Sequence, residues 1–169
     1  RLGLDPTELL KRNPRLVILR VSGFGQTGPY KSRPGFASIA EAMSGFAYLS
    51  GEPDGAPLLP PIALTDEVTG IVGAFSIMVA LRHRDATGDG QVVDVNSLES
   101  ILQMMGPLPA AYAGLGYEQP RMGSGIPYSV PRGTYQCADG EWIAISASAE
   151  SVAARVLELL GVSDDPRFS

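Results

Sequence analysis

The sequence predicts an α/β fold with parallel strand pairing, followed by the start of a smaller α+β unit. Three observations carry this expectation. Two short apolar runs, Leu16 to Val21 and Gln91 to Val95, read as strands. Segments with helical spacing precede, separate and follow them, and that alternation points to a parallel layer. From Gly106 to Gly133 the composition shifts to Gly, Pro, Tyr and Ser, and a hairpin pattern comes next. The expected boundaries are 1–105 for the part of the large domain, 106–132 for a linker and 133–169 for the start of the small domain.

Each element has a local reason. Asp5 caps a helix that runs to Arg12, with Pro6 at the first helical position and Lys11 and Arg12 in the last turn. Asn13-Pro14 stops it. The near-continuous apolar run from Leu16 to Val21 is expected for a strand buried on both faces. A Gly/Pro-rich loop runs from Gly23 to Gly35. Phe36 to Tyr48 has helical spacing, with Ile39, Ala42, Met43 and Phe46 on one side. Gly51 to Pro61 is loop, and Glu67 to His83 is a long apolar helix with Asp66 as its N-cap. Asp85 to Gly90 reads as a turn. After the second strand, Asn96 or Ser97 caps a helix from Leu98 to Met105. Asp139-Gly140 joins two alternating runs as a hairpin, and Glu150 to Leu160 is an amphipathic helix ended by Gly161.

Bulk properties narrow the function classes. The 169 residues carry a net charge of −5 and show no basic stripe, which argues against nucleic-acid binding. Apolar residues make up 44%, enough for a core. The longest apolar stretch, Val68 to Leu81, is interrupted by Thr69 and Ser76 and falls short of the ~18–20 residues that span a bilayer, so no membrane segment is expected. Cys137 is the one cysteine, which fits a reducing, cytoplasmic setting. With a single histidine, His83, a His/Cys metal site is not expected. The chain opens on Arg1, and its first turn reads as the middle of something, as expected of a fragment.

Several residues are candidates for chemistry. Gly23-Phe24-Gly25-Gln26-Thr27-Gly28 matches a dinucleotide-binding spacing, but Pro29 and Pro34 follow and no helical run opens at the glycines. A flexible loop needing positive φ is the better reading. His83, beside Arg82 and Arg84, reads as a basic group at a helix C-terminus, with catalysis the alternative. Arg33 could meet an anionic ligand or simply be solvated. Asp66 opens the long apolar helix, where free N–H groups and the helix dipole favour a carboxylate. Such a carboxylate can be a cap or a nucleophile.

Several stretches resemble the family III CoA-transferases, the group that includes formyl-CoA transferase, carnitine CoA-transferase and the related α-methylacyl-CoA racemases. They are Arg15 to Ile18 followed by Val21 to Pro29, then Leu64-Thr65-Asp66 with Thr69-Gly70. Ala80 to Arg84 with Thr87 to Val95 follows, then Thr134-Tyr135 with Ala138-Asp139-Gly140, and Asp164 to Phe168. Their order and spacing cover essentially the whole chain.

The resemblance implies a Rossmann-like large domain and transfer of CoA between an acyl-CoA and a carboxylic acid. Asp66 would be the nucleophile, working through a mixed anhydride and an aspartyl-CoA thioester. It places CoA contacts on Arg1 and on Pro34, Gly35, Phe36 and Ala37. Racemases of the group carry a His in a Gly-His-Asp stretch where this chain reads Gly35-Phe36-Ala37. Phe cannot shuttle a proton, so transfer is favoured over racemisation. Family members run to roughly twice this length and form interlocked homodimers. A fragment that only binds CoA, with Asp66 a cap, is a further alternative. The family's mobile glycine-rich loop over the active site has no clear counterpart here, although Met122-Gly123-Ser124-Gly125 lies nearby.

Overall fold

The two apolar runs pair as the pattern requires. In the computed structural model, which describes residues 3–166, β1 (Val17–Ser22) lies parallel to β2 (Gln91–Asn96), with Leu19 opposite Val93 and Arg20 opposite Asp94. The helices before and between them are α1 (Pro6–Arg12), α2 (Ala37–Met43), α3 (Phe46–Leu49) and α4 (Leu64–Thr87). After β2 come α5 (Ser97–Met104), α6 (Leu108–Leu115), β3 (Arg132–Gln136), β4 (Trp142–Ser146) and α7 (Glu150–Leu159). The chain divides into two units. One holds the residues up to Ala47 together with Leu59–Glu118, the other Tyr48–Leu58 with the stretch from Gln119 onward.

In the first unit α4 packs on β1, β2, α2 and α5. Its inward face is Thr65, Thr69, Gly73 and Ala80. Gly73 allows a close approach, since a Cβ there would sit 3.1 Å from Leu19 Cδ2. Among the described residues, Ile101, Val95, Ala40 and Ala47 are the other buried apolar residues of this unit, with Glu41, Asn96, Ser97 and Ser100 buried beside them. β1 is only half-buried, with Val21 exposed. The expected burial on both faces is not found among the described residues: α4 covers the strand pair, while Val21 of β1 stays open. The Asp5 cap accepts from Thr7 N at 2.9 Å, and that bond holds the Asp5 carboxyl below its ordinary value.

Three helices differ from the sequence pattern. Phe36 to Tyr48 is two helices, broken at Gly45 with φ 86°. The buried side of α2 is Ala40 and Glu41, while Ile39, Ala42 and Met43 are exposed, because α2 meets α4 and α5 through the smaller and hydrogen-bonding residues. α4 begins at Leu64 and continues through Asp85-Ala86-Thr87, where Thr87 Oγ1 donates back to His83 O at 3.0 Å and Gly88 ends the helix at φ 90°. At 24 residues α4 is long and apolar enough to cross a membrane by length and composition, contrary to the shorter run read from sequence. Its inward residues nonetheless form the core of this unit. Within the Gly/Pro-rich stretch, Pro107 starts α6 and Gly116, at φ 65°, ends it.

In the second unit β3 and β4 are antiparallel, with Thr134 opposite Ala144. The turn is closed by Cys137 N donating to Glu141 O and by Gly140 at φ 90°. Arg121 ties Tyr48–Leu58 to this unit: its Nη2 donates to the Glu52 and Gly55 carbonyls, and its guanidinium lies over the Tyr48 ring.

Candidate active site

The first turn of α4 carries two side chains with opposite fates. Thr65 is completely buried, and its Oγ1 donates to Glu41 Oε1 of α2 at 2.8 Å. Thr69, one turn on, donates to Thr65 O at 2.6 Å. Consecutive helical residues are about 100° apart, so with Thr65 turned inward Asp66 is turned to solvent, where it is exposed. Asp66 is therefore not the N-cap expected from sequence. Ala63 takes that place and offers no side-chain hydrogen bond. Asp66 stands third in the helix, still within the first turn where free N–H groups and the dipole favour negative charge. The ion pairs Lys11–Glu8 and Arg84–Asp85 do not involve it.

The segment ahead of α2 is held by backbone packing. A Cβ on Gly23 would lie 2.5 Å from Gly35 Cα, and one on Gly35 would lie 2.9 Å from Gly23 Cα, so the two glycines seal the base of the loop between them. Gly35 then leads into Phe36, the N-cap of α2, whose phenyl is 72% exposed and makes no capping bond. A large aromatic left open at a cap position serves neither core nor helix end. Pro34 is exposed, and Ala37 is half-buried as the first residue of α2. Glu41 lies one turn, about 6 Å of rise, beyond Ala37. The Glu41–Thr65 bond thus ties the helix that starts at Ala37 to the helix that carries Asp66.

The other candidates are placed differently. The Arg33 guanidinium lies 4.3 Å over the Tyr30 ring, and Arg33 N donates to Tyr30 O, so this exposed arginine braces its own loop. Arg1 lies outside the described residues. His83 is exposed four residues before the helix end. The turn at Met122 to Gly125 is pinned, with Gly123 N on Gly51 O and Ser124 Oγ accepting from Thr134 N at 2.8 Å.

The glycine-rich loop has the positive φ expected of it and is tied by hydrogen bonds. Gly25 and Gly28 have φ of 81° and 82°. Gln26 N donates to Asp94 Oδ2 at 2.7 Å and Gly25 N to Ser22 Oγ at 3.0 Å. Phe24 and Tyr30 meet edge to face. No helix opens at these glycines, so the arrangement that would cradle a pyrophosphate is not formed. A cleft of about 310 Å³ between this loop and the start of α5 is lined by Tyr30, Asp94, Asn96 and Glu99 among others, and Asp66 does not line it.

Glu41 and Thr65 escaped the sequence reading. The available signal was a lone charge in the middle of an otherwise apolar helical stretch, which a solvated face explains equally well.

The model of CoA-transferase family III matches residues 1–169. The chain is 44% identical over 161 residues to the succinyl-CoA–L-malate CoA-transferase beta subunit of Chloroflexus aurantiacus, a match covering 94% of this chain and 40% of that protein. It is 33% identical over 170 residues to the succinate–glutarate CoA-transferase of Agrobacterium fabrum, covering 99% of this chain and 42% of that protein. A crystal structure of a CAIB/BAIF family protein from Brucella suis superimposes with a TM-score of 0.79 at 32% identity, covering 98% of this chain and 44% of that one. The chain therefore spans less than half the length of these relatives.

Proposed function

The chain belongs to CoA-transferase family III, and from that premise we propose that the protein carrying it moves CoA between an acyl-CoA and a carboxylic acid, with Asp66 as nucleophile. The observation that carries the proposal is an exposed carboxylate in the first turn of a long helix, its direction set by the buried residue before it. In the proposed sequence an Asp66 oxygen attacks the thioester carbonyl carbon and the C–S bond breaks. The CoA thiolate leaves, and a mixed anhydride remains. The thiolate then attacks the aspartyl carbonyl, releasing the donor carboxylate and forming an aspartyl-CoA thioester. The acceptor carboxylate attacks that thioester and expels the thiolate again. The thiolate finally takes the acceptor's acyl group and frees Asp66. The positive end of α4 favours the negative charge that develops at each step.

The segment Pro34 to Ala37, with the exposed Phe36, is the proposed CoA contact, with Arg33 and Arg1 as candidate partners of its anionic part. The relatives' names point to dicarboxylic acids as the substrate class. A Rossmann-like large domain, a homodimer and a cytoplasmic setting complete the reading. Racemisation needs a second acid/base group, and Phe36 stands where the related racemases carry one.

Incubation with succinyl-CoA and hydroxylamine should convert Asp66 to its hydroxamate, detectable by peptide mass spectrometry. Turnover surviving in Asp66→Ala overturns the mechanism. Deuterium exchange at the α-carbon in D₂O without CoA exchange would establish racemisation instead.

A further inference from the structure

We infer that Glu41 and Thr65 are a positioning pair that holds Asp66 in its attacking direction. This rests on the reading of Asp66 as nucleophile and adds two residues to it. Glu41 is 3% exposed and Thr65 0% exposed, and they meet at 2.8 Å across 24 residues of sequence. A glutamate is rarely buried this far unless it is paired. The first turn of α4 depends on the pairing, because Ala63 provides no side-chain cap. Helix ends fray, and an uncapped one has little else to stop it.

The pair and the Thr69–Thr65 bond at 2.6 Å together fix both the rotation and the register of that turn. Asp66 inherits its direction from them through the fixed step between helical neighbours. Because Glu41 belongs to α2, the pair also sets the spacing between Asp66 and the segment that begins α2, the proposed CoA contact. Reacting groups displaced by about 1 Å can lose about a hundredfold in rate. The pair therefore acts on the chemical step through Asp66, without itself touching substrate.

The test measures kcat and KM for succinyl-CoA in the protein carrying this chain, for Thr65→Val, Thr65→Ser, Glu41→Leu and Glu41→Gln. Val keeps the shape of Thr without its hydroxyl, whereas Ser keeps the hydroxyl. Gln keeps an acceptor oxygen, and Leu removes it. The expected result is a loss of about 10- to 100-fold in kcat for Thr65→Val and Glu41→Leu, with KM changed less than about threefold. Thr65→Ser and Glu41→Gln should stay within about threefold of the parent. Rates are normalised to the folded fraction of each variant, read by circular dichroism and urea denaturation, so that loss of folded protein is not mistaken for loss of positioning. Unchanged normalised kcat in Thr65→Val and Glu41→Leu overturns the inference. Absence of any trapping at Asp66 in the parent protein overturns the underlying mechanism instead.

Discussion

At its C-terminal end α4 closes on backbone. Thr87 Oγ1 returns to His83 O, Asp89 N donates to Thr87 Oγ1, and Gly88 turns the chain at φ 90°. Gly90 N then donates to Pro14 O at 2.7 Å, and a Cβ on Gly90 would lie 2.1 Å from Leu16 O. At its N-terminal end the same helix has no side-chain cap. It is held by one buried tether, Thr65 to Glu41, and leaves Asp66 open. One end is a joint between a helix and the start of a strand pair, and the other is a platform. The difference teaches that the most recognisable stretch of a chain need not be the reactive one. Steric demands at Gly88 and Gly90 leave a conspicuous sequence, whereas a Thr-Asp pair leaves almost none.

The comparison can be broken at either end. The largest expected effect is on chemistry: Asp66→Ala should lower turnover by about 10⁴-fold or more while moving the unfolding midpoint little, as a steady-state assay beside urea denaturation would show. Gly90→Ala should do the reverse. With its added carbon forced onto a backbone oxygen, it should lose about 4 kcal/mol or more of stability, read from the same denaturation curves. Gly88→Ala has room for its Cβ, with Arg15 Nη1 at 3.8 Å. Its cost is the left-handed conformation alone, about 1–2 kcal/mol. If Gly88→Ala proved as damaging as Gly90→Ala, close approach to the first strand would not be what distinguishes the two glycines.

The smallest effect is expected far from both ends, at Asp5. Thr7 N holds the Asp5 carboxyl below its ordinary value. A group lowered in the folded state contributes stability above its unfolded value and loses it as pH falls through the folded one. Acidification should therefore fray α1 below the ordinary carboxylate range, seen as faster amide exchange at Thr7 and Glu8. Asp5→Asn should remove that pH dependence while keeping the cap.

Much of the frame was legible because its causes are local. Asp5-Pro6, Asn96 and Asp139-Gly140 announce a cap, a second cap and a turn through their own side chains, and Asn96 indeed accepts from Glu99 N at 2.8 Å. The start of α4 was misplaced because Asp66 is a good cap residue and Ala63 a poor one, so propensity pointed three residues too far along. The buried face of α2 was not legible for the opposite reason. Ile39 and Met43 are more apolar than Ala40 and Glu41, but the latter are what α4 and α5 accept. The hydrogen bonds of the glycine loop were not legible because they come from Ser22 and Asp94, and Asp94 is 68 residues away from Gln26.

By itself the sequence determined the parallel strand pair, the long helix between the strands, the hairpin that follows and the candidacy of Asp66. Each of these follows from periodicity, turn chemistry or motif spacing within a short window. Only the tertiary structure decided that Glu41 is buried, that Thr65 faces it and that Asp66 is thereby turned outward. The reason is physical: a hydrogen bond between side chains 24 residues apart depends on where two helices cross, and no local pattern encodes the crossing.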